Sequence, residues 1–278
     1  MENGNVSLFG TSALGGEAAP NQFGFRGGDG SIGEGARAIF PIIRQCSDGT
    51  IDLLGTGFFI SQNGIFVSAR HVLDAAFDHV SGKQSFPVAM IHLYEGNSYF
   101  IRPILRYARH PSADIAAGAV APMKRNSDGA FLSNKSIALN TNPVGCDSNI
   151  VTFAYPRCES RSTQDGQIFN VMPDFYDGKI IEYLPAGRDR VMLPGPCYRT
   201  NMKIHHGASG GPVFSRDGMA FALNSTGFDG TEDSYISSLD GLLDLSIDDV
   251  AMENQAPRSV SIREMARAGH VTVKPIPQ

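Results

Sequence analysis

Gly207-Ala208-Ser209-Gly210-Gly211-Pro212-Val213-Phe214 places one hydroxyl among three glycines, directly after a histidine pair, His205-His206. Glycine weakens a strand and costs backbone entropy, so such a cluster marks a tight turn or a close approach of another piece of backbone. The serine stands clear of ordinary side-chain packing, and the strand-like GPVF restarts behind it. A lone serine is a poor nucleophile at neutral pH and needs a base to take its proton. The chain must therefore supply a histidine, and a group to orient it, from elsewhere.

Working outward, the sequence from Ala36 onward is a succession of short β-branched and aromatic runs: ARAIFPIIR, IDLLGTGFFIS, GIFVSARHV, FPVAMIHLY, SYFIRPILRYA, NIVTFAYP, GKIIEYLP, RVMLPG, GPVFS and MAFALNST. Gly, Asp, Asn and Ser punctuate them every ten residues or so, the pattern of a sandwich or barrel rather than of βαβ units. Asn63-Gly64, Asp128-Gly129, Asp177-Gly178 and Asp217-Gly218 read as hairpin closers, because both residue types tolerate positive φ. Residues 1–35, rich in Gly, Ser and Asn, read as a flexible arm. The stretch from about 116 to 136 reads as the bridge between two halves, which gives domains of 36–125 and 126–235. Beyond, residues 236–278 have helix-like apolar spacing in SSLDGLLDLSIDDVAM and SVSIREMARAGHV, with Ser261 and Glu264 as a capping box, and are expected to form a helical tail.

Composition narrows the classes. The 278 residues are 42% hydrophobic with a net charge of −5, which suits a folded chain and gives nucleic acid no basic stripe to bind. The N-terminal stretch has neither a basic region nor an apolar core like those of a secretory signal, and no apolar run is long enough to span a membrane. Four cysteines, Cys46, Cys146, Cys158 and Cys197, lie far apart without a CxxC pair, as reduced thiols would. These features lead us to expect a cytoplasmic protein that needs no cofactor. No metal is expected either: adjacent histidines such as His205-His206 lack the spacing and further ligands of a zinc site.

Among seven histidines, His71 is set apart by its position in FVSARHVL, where a strand ends and a helical turn begins. The preceding GTGFFIS, with Gly55 and Gly57 flanking Thr56, is another place of close backbone approach. A carboxylate to orient the imidazole is offered by Asp114, polar before the apolar run of SADIAAGAV. Each signal alone is weak, since a histidine after a strand and an aspartate at a turn are usually structural. In the order His, Asp, Ser they gain force together.

ARHVL, ADIA and GASGGPV in that order resemble the trypsin/chymotrypsin-like serine peptidases. The resemblance implies an all-β fold of two six-stranded antiparallel Greek-key barrels with the active site between them. His71 and Asp114 would come from the first barrel and Ser209 from the second. It also implies that Gly207 and Ser209 N–H groups converge on an oxyanion hole. The segment Thr200–Ser209, TNMKIHHGAS, is similar to the TDAxINxGNSGGP stretch of the HtrA-type branch, though here no PDZ domain is expected. Ala208 replaces the aspartate that pairs with a newly cleaved amino terminus in trypsin-like zymogens, so activation by such cleavage is not expected. The implied activity is serine endopeptidase, with a protein or peptide as partner.

The residues before the turn, Lys203, Ile204, His205 and His206, are expected to line the substrate side-chain pocket. A cationic and imidazole lining would favour acidic side chains; an Ile204 lining would favour small or medium aliphatic ones. Asn224, Ser225 and Thr226 are expected to pair with substrate backbone as an added strand. Two other readings exist. GxSxG is also the nucleophile elbow of α/β-hydrolases, with Asp248 and His270 as partners, but Gly210-Gly211-Pro212 opposes the helix that elbow requires. A catalytically silent barrel used as a binding scaffold would keep the fold without the chemistry.

Overall fold

The short β-branched and aromatic runs become strands, except RVMLPG, which is irregular backbone between two of them, and the buried faces of the strands close two rings. The computed structural model describes residues 24–26, 32–34, 37–45, 51–78, 89–94, 98–124, 128–163, 166–227, 233–252 and 255–274. Two three-residue strands, β1 (Gly24–Arg26) and β2 (Ile32–Glu34), pair within the segment read as a flexible arm; the rest of that expectation lies outside the described residues. The first ring uses β3 (Ile39–Gln45), β4 (Ile51–Phe59), β5 (Ile65–Ser68), then helix α1 (Arg70–Phe77), and β6 (Ala89–Tyr94), β7 (Ser98–Arg109) and β8 (Ala116–Val120). All its pairings are antiparallel and it closes in the order β3-β4-β5-β8-β7-β6.

After the short β9 (Leu139–Asn140) come β10 (Asn149–Thr163), β11 (Gly166–Leu184), β12 (Cys197–Thr200), β13 (Pro212–Phe214), β14 (Ala220–Gly227) and β15 (Ser234–Ser238). β13 pairs with both β10 and β14, so β13-β10-β11-β12-β15-β14 also return on themselves as six antiparallel strands. The all-β, double-barrel architecture is therefore present.

Beyond β15, a 3₁₀ turn (Asp240–Asp244) leads to the hairpin of β16 (Ser246–Val250) and β17 (Arg258–Ser261), helix α2 (Ile262–Arg267) and β18 (Val273–Lys274). β18 lies parallel to β9, which itself lies parallel to β14. The helical expectation holds for α2, whose start is capped by Ser261 Oγ accepting the Glu264 N–H at 3.1 Å. In SSLDGLLDLSIDDVAM it holds only for the 3₁₀ helix Asp240–Asp244, and the rest is not helical. There Ile247 is buried between exposed Ser246 and Asp248, a period of two, and Gly241 packs against His110.

Two further expectations need correction. The bridge starts later than 116, because Ala116–Val120 is β8 of the first barrel. Asp177-Gly178 is not a hairpin but lies inside β11, where the missing side chain lets Asn201 and Met202 come close. Asn63-Gly64 and Asp217-Gly218 do sit at turns between paired strands, and Asp128-Gly129 turns just before the bridge between Lys124 and Phe131.

One buried apolar cluster runs from Phe40, Phe58, Phe59 and Phe66 of the first barrel to Phe153 and Phe214 of the second, and on to Ile262 and Met265 of α2. A smaller cluster fills the second ring around Tyr198, Phe221 and Ile236. Fully burying a side chain of this size stabilises by roughly 1.5–3 kcal/mol. The continuous cluster therefore fixes the two barrels against each other, and with them the cleft at their seam. Among the described residues, no helix is long and apolar enough to cross a membrane.

Candidate active site

β5 ends at Ser68, and α1 starts after Ala69 without a side-chain cap. The first amides of a helix have no acceptor within it. Asp114 supplies one: its Oδ1 accepts the His71 backbone N–H at 3.1 Å. The same carboxylate lies 2.9 and 3.1 Å from His71 Nδ1 and also accepts the Ser225 hydroxyl. Asp114 is thus buried, at 8% exposure, but bonded to three donors and set at the positive end of a helix. The carboxylate fixes the proton on Nδ1 and leaves Nε2 as the basic atom of an imidazole that is 52% exposed to the cleft.

The turn that carries Ser209 is held mainly through its backbone. Ala208 N–H donates to His205 O at 3.2 Å, closing a turn whose third residue, Gly207, has φ +84°. That is the type II geometry, which requires a positive φ at this position. Space forbids a side chain as well: a Cβ on Gly207 would stand 2.7 Å from Pro156 O, at the β-bulge of β10. Gly210, with φ +85°, would bring a Cβ to 2.1 Å from Thr56 O. Among the described residues, neither the Gly207 nor the Ser209 N–H is paired with an acceptor, so both donors remain available.

Thr56, fully buried on β4, ties this turn to the first barrel. Its N–H donates to Ser209 O at 2.8 Å, its hydroxyl donates to Gly207 O at 3.0 Å and accepts Tyr155 N–H at 3.0 Å. Its carbonyl receives the Ser68 hydroxyl at 2.7 Å. The sequence flagged the glycines around Thr56 but gave its hydroxyl no part to play; partners so distant in the chain leave no local signal.

His71, Asp114, Gly207 and Ser209 all line one cleft of about 670 Å³. The Ser209 hydroxyl donates to Ser225 O at 3.2 Å, and among the described residues it makes no hydrogen bond to His71. Ser225 thereby touches both walls, holding Asp114 with its hydroxyl and Ser209 with its carbonyl.

Lys203, Ile204, His205, His206, Ser225 and Thr226 line the same cleft. Ile204 is half-buried and packs against the smaller core cluster. Lys203, His205 and His206 are exposed, and the His205 ring centroid lies 5.8 Å from that of Tyr176. Of the cleft carboxylates, Asp74 pairs with Arg70 and Asp233 with Arg199, whereas Lys203 has no ionic partner among the described residues. Asn224 departs from expectation. It is fully buried, outside the cleft, with Nδ2 donating to Thr152 Oγ1 at 2.8 Å and Ala208 O at 3.2 Å. Its backbone binds Gly210 and Gly211, so it supports the turn and is closed to substrate.

A family model of the trypsin-like peptidase domain matches residues 55–223. No curated protein matches the chain. Among solved structures, Deg5 is similar at 15% identity, with a TM-score of 0.52, over 75% of this chain and 87% of that one. The Rv3671c protease from M. tuberculosis in its active form is similar at 19% identity, with a TM-score of 0.50, over 76% of this chain and 81% of that one. The HtrA-type protease AlgW with decapeptide aligns at 14% identity and a TM-score of 0.47, over 73% of this chain and 60% of that one. At these identities the likeness to Deg5 and Rv3671c is one of fold.

Proposed function

The chain belongs to the trypsin-like peptidase family, and from that premise we propose that it is a serine endopeptidase acting through His71, Asp114 and Ser209. The observation that carries this reading is the double hold of Asp114 on His71, by backbone and by ring, in a cleft shared with Ser209. His71 Nε2 takes the Ser209 proton as Oγ attacks the substrate carbonyl carbon. The carbonyl π electrons move to its oxygen, which sits between the Gly207 and Ser209 amides. On collapse the C–N bond breaks, His71 returns the proton to the leaving amine, and an acyl-enzyme remains. Water then repeats the sequence with Ser209 as the leaving group. Asp114 stays ionised throughout and steadies the imidazolium. Losing one oxyanion donor typically costs on the order of 10²–10³ in rate.

In this mechanism the Ser209 hydroxyl must first leave Ser225 O, to which it donates in the structure, and donate to His71 instead. Catalytic hydrogen bonds commonly tighten only when substrate is bound. For the side-chain pocket, Ile204 is half-buried against the core and exposed Val191 and Met192 share the cleft, but the exposed Lys203, with no ionic partner among the described residues, and the two histidines beside it support preference for an acidic residue over an aliphatic one. A positional peptide library checks this, and faster cleavage after Leu or Val than after Glu or Asp would reverse it.

The decisive experiment is labelling by a fluorophosphonate, with mass spectrometry to locate the adduct. Labelling at Ser209, lost in Ser209→Ala together with all peptide hydrolysis, is the expected result. A folded wild-type protein that never labels, under conditions where a known peptidase does, would leave the binding scaffold as the reading.

A further inference from the structure

Asp114 lies on the turn joining β7 to β8, and that turn is built around the ring of His110. His110 Nδ1 accepts the Ala113 N–H at 2.8 Å and the Ser112 N–H at 3.2 Å. Its own N–H donates to Ile115 O at 2.9 Å, so the residues on either side of Asp114 are both tied to residue 110. From α1, Arg70 Nη1 donates to the carbonyls of His110 and Pro111, at 3.2 and 3.3 Å. On the opposite side the 3₁₀ turn closes in: a Cβ on Gly241 would stand 2.4 Å from His110 Nε2. An imidazole nitrogen that accepts two amide protons must carry a lone pair, so this arrangement exists only with neutral His110 protonated on Nε2.

We infer that His110 is a positioning residue: its neutral ring shapes the turn that presents Asp114 to His71, and protonating it releases that turn. The inference rests on Asp114 being the carboxylate of the proposed triad. A proton on Nδ1 would face two N–H donors and cost both hydrogen bonds. The charged groups facing the ring are Asp244 and Asp240 on the 3₁₀ turn, which favour its protonation, and Arg70 on α1, which opposes it. Burial is the largest influence, and the pKa is held below its ordinary 6.5. The native chain therefore binds this proton more weakly than the unfolded chain. The stabilisation is complete above about pH 6.5 and is lost as the pH falls below it.

An asparagine at 110 can offer a carboxamide oxygen to the same amides, as it does in turns generally, but cannot take up a proton near neutrality. The test compares kcat and KM across pH for wild type, His110→Asn and His110→Ala. His110→Ala should lose roughly tenfold to 10²-fold in kcat at neutral pH with KM little changed, as expected when a reacting group is misplaced. His110→Asn should recover most of that loss, and its acid limb should follow one proton where wild type follows two. A second readout needs no activity. In Ser209→Ala protein, the Ala113 amide resonance should titrate together with the His110 ring below pH 6.5, and the same amide in His110→Asn should not. Wild-type kcat and pH profile in His110→Ala, or an Ala113 amide indifferent to the His110 titration, would overturn the proposal. Should His110→Ala not fold, His110→Asn and the titration decide the matter. If wild type never labels at Ser209, the peptidase reading fails separately, and the titration still decides whether the ring shapes the turn.

Discussion

On the first-barrel wall of the cleft, His71 and Asp114 are held by side chains, the carboxylate gathering an amide, a ring nitrogen and the Ser225 hydroxyl. On the second-barrel wall, Ser209 is held by the backbone: carbonyls and amides of Gly207, Ala208, Ser209, Gly210 and Gly211 are bonded to Thr56, His205 and Asn224 or to one another. Side-chain anchoring can be edited atom by atom while the fold persists. Backbone anchoring at positive φ, with a neighbour in van der Waals contact, admits no added atom. Substitutions on the first wall should therefore act on rate, and substitutions on the second on stability as well.

The largest expected effect is on the first wall. Asp114→Asn keeps shape but presents His71 Nδ1–H with an amide, and kcat should fall by roughly 10⁴ while the chain stays folded. Loss of the cooperative unfolding transition in this variant would break the contrast at once. Next comes Gly210→Ala. A Cβ there meets Thr56 O and the Ser68 hydroxyl, in a left-handed conformation. Urea unfolding should show a loss of about 3 kcal/mol or more, from strain plus overpacking, together with failure to label Ser209.

A smaller effect sharpens the comparison. Thr56→Val preserves volume but removes the hydroxyl between Tyr155 N–H and Gly207 O. The unbonded buried amide should cost about 1–3 kcal/mol, and Thr56→Ser should restore most of it. The smallest effect is a control remote from both walls. Ser261→Ala removes the cap of α2 and should cost about 1 kcal/mol in unfolding while leaving kcat unchanged.

How much was legible in the sequence depended on the range of the interaction. The glycines about Ser209 announce their turn because positive φ and close contact restrict residue type locally. His71 at a strand-to-helix junction and Asp114 before an apolar run gained meaning only as an ordered set with Ser209. The part of Thr56 was not legible: its hydroxyl joins groups 99 and 151 residues away, and any threonine in a strand looks the same. Asn224 was misread for a related reason. A polar residue on a strand beside Ser209 suits a cleft wall, but its side chain turns inward to Thr152, and nothing nearby in the sequence sets that direction. The tail misled through its two adjacent leucines, which fit a helix as well as the buried face of a 3₁₀ turn followed by a strand.

The parallel contact of Val273 with Leu139 has a consequence for how the chain acquires its shape. A strand late in the sequence is laid beside one near its middle, and that one in turn borders β14 of the second barrel. Non-local pairings of this kind pay their loop entropy before any reward arrives, so they close late. During synthesis the outer edge of β9 therefore waits uncovered until β18 emerges, well after every residue that lines the cleft has been made.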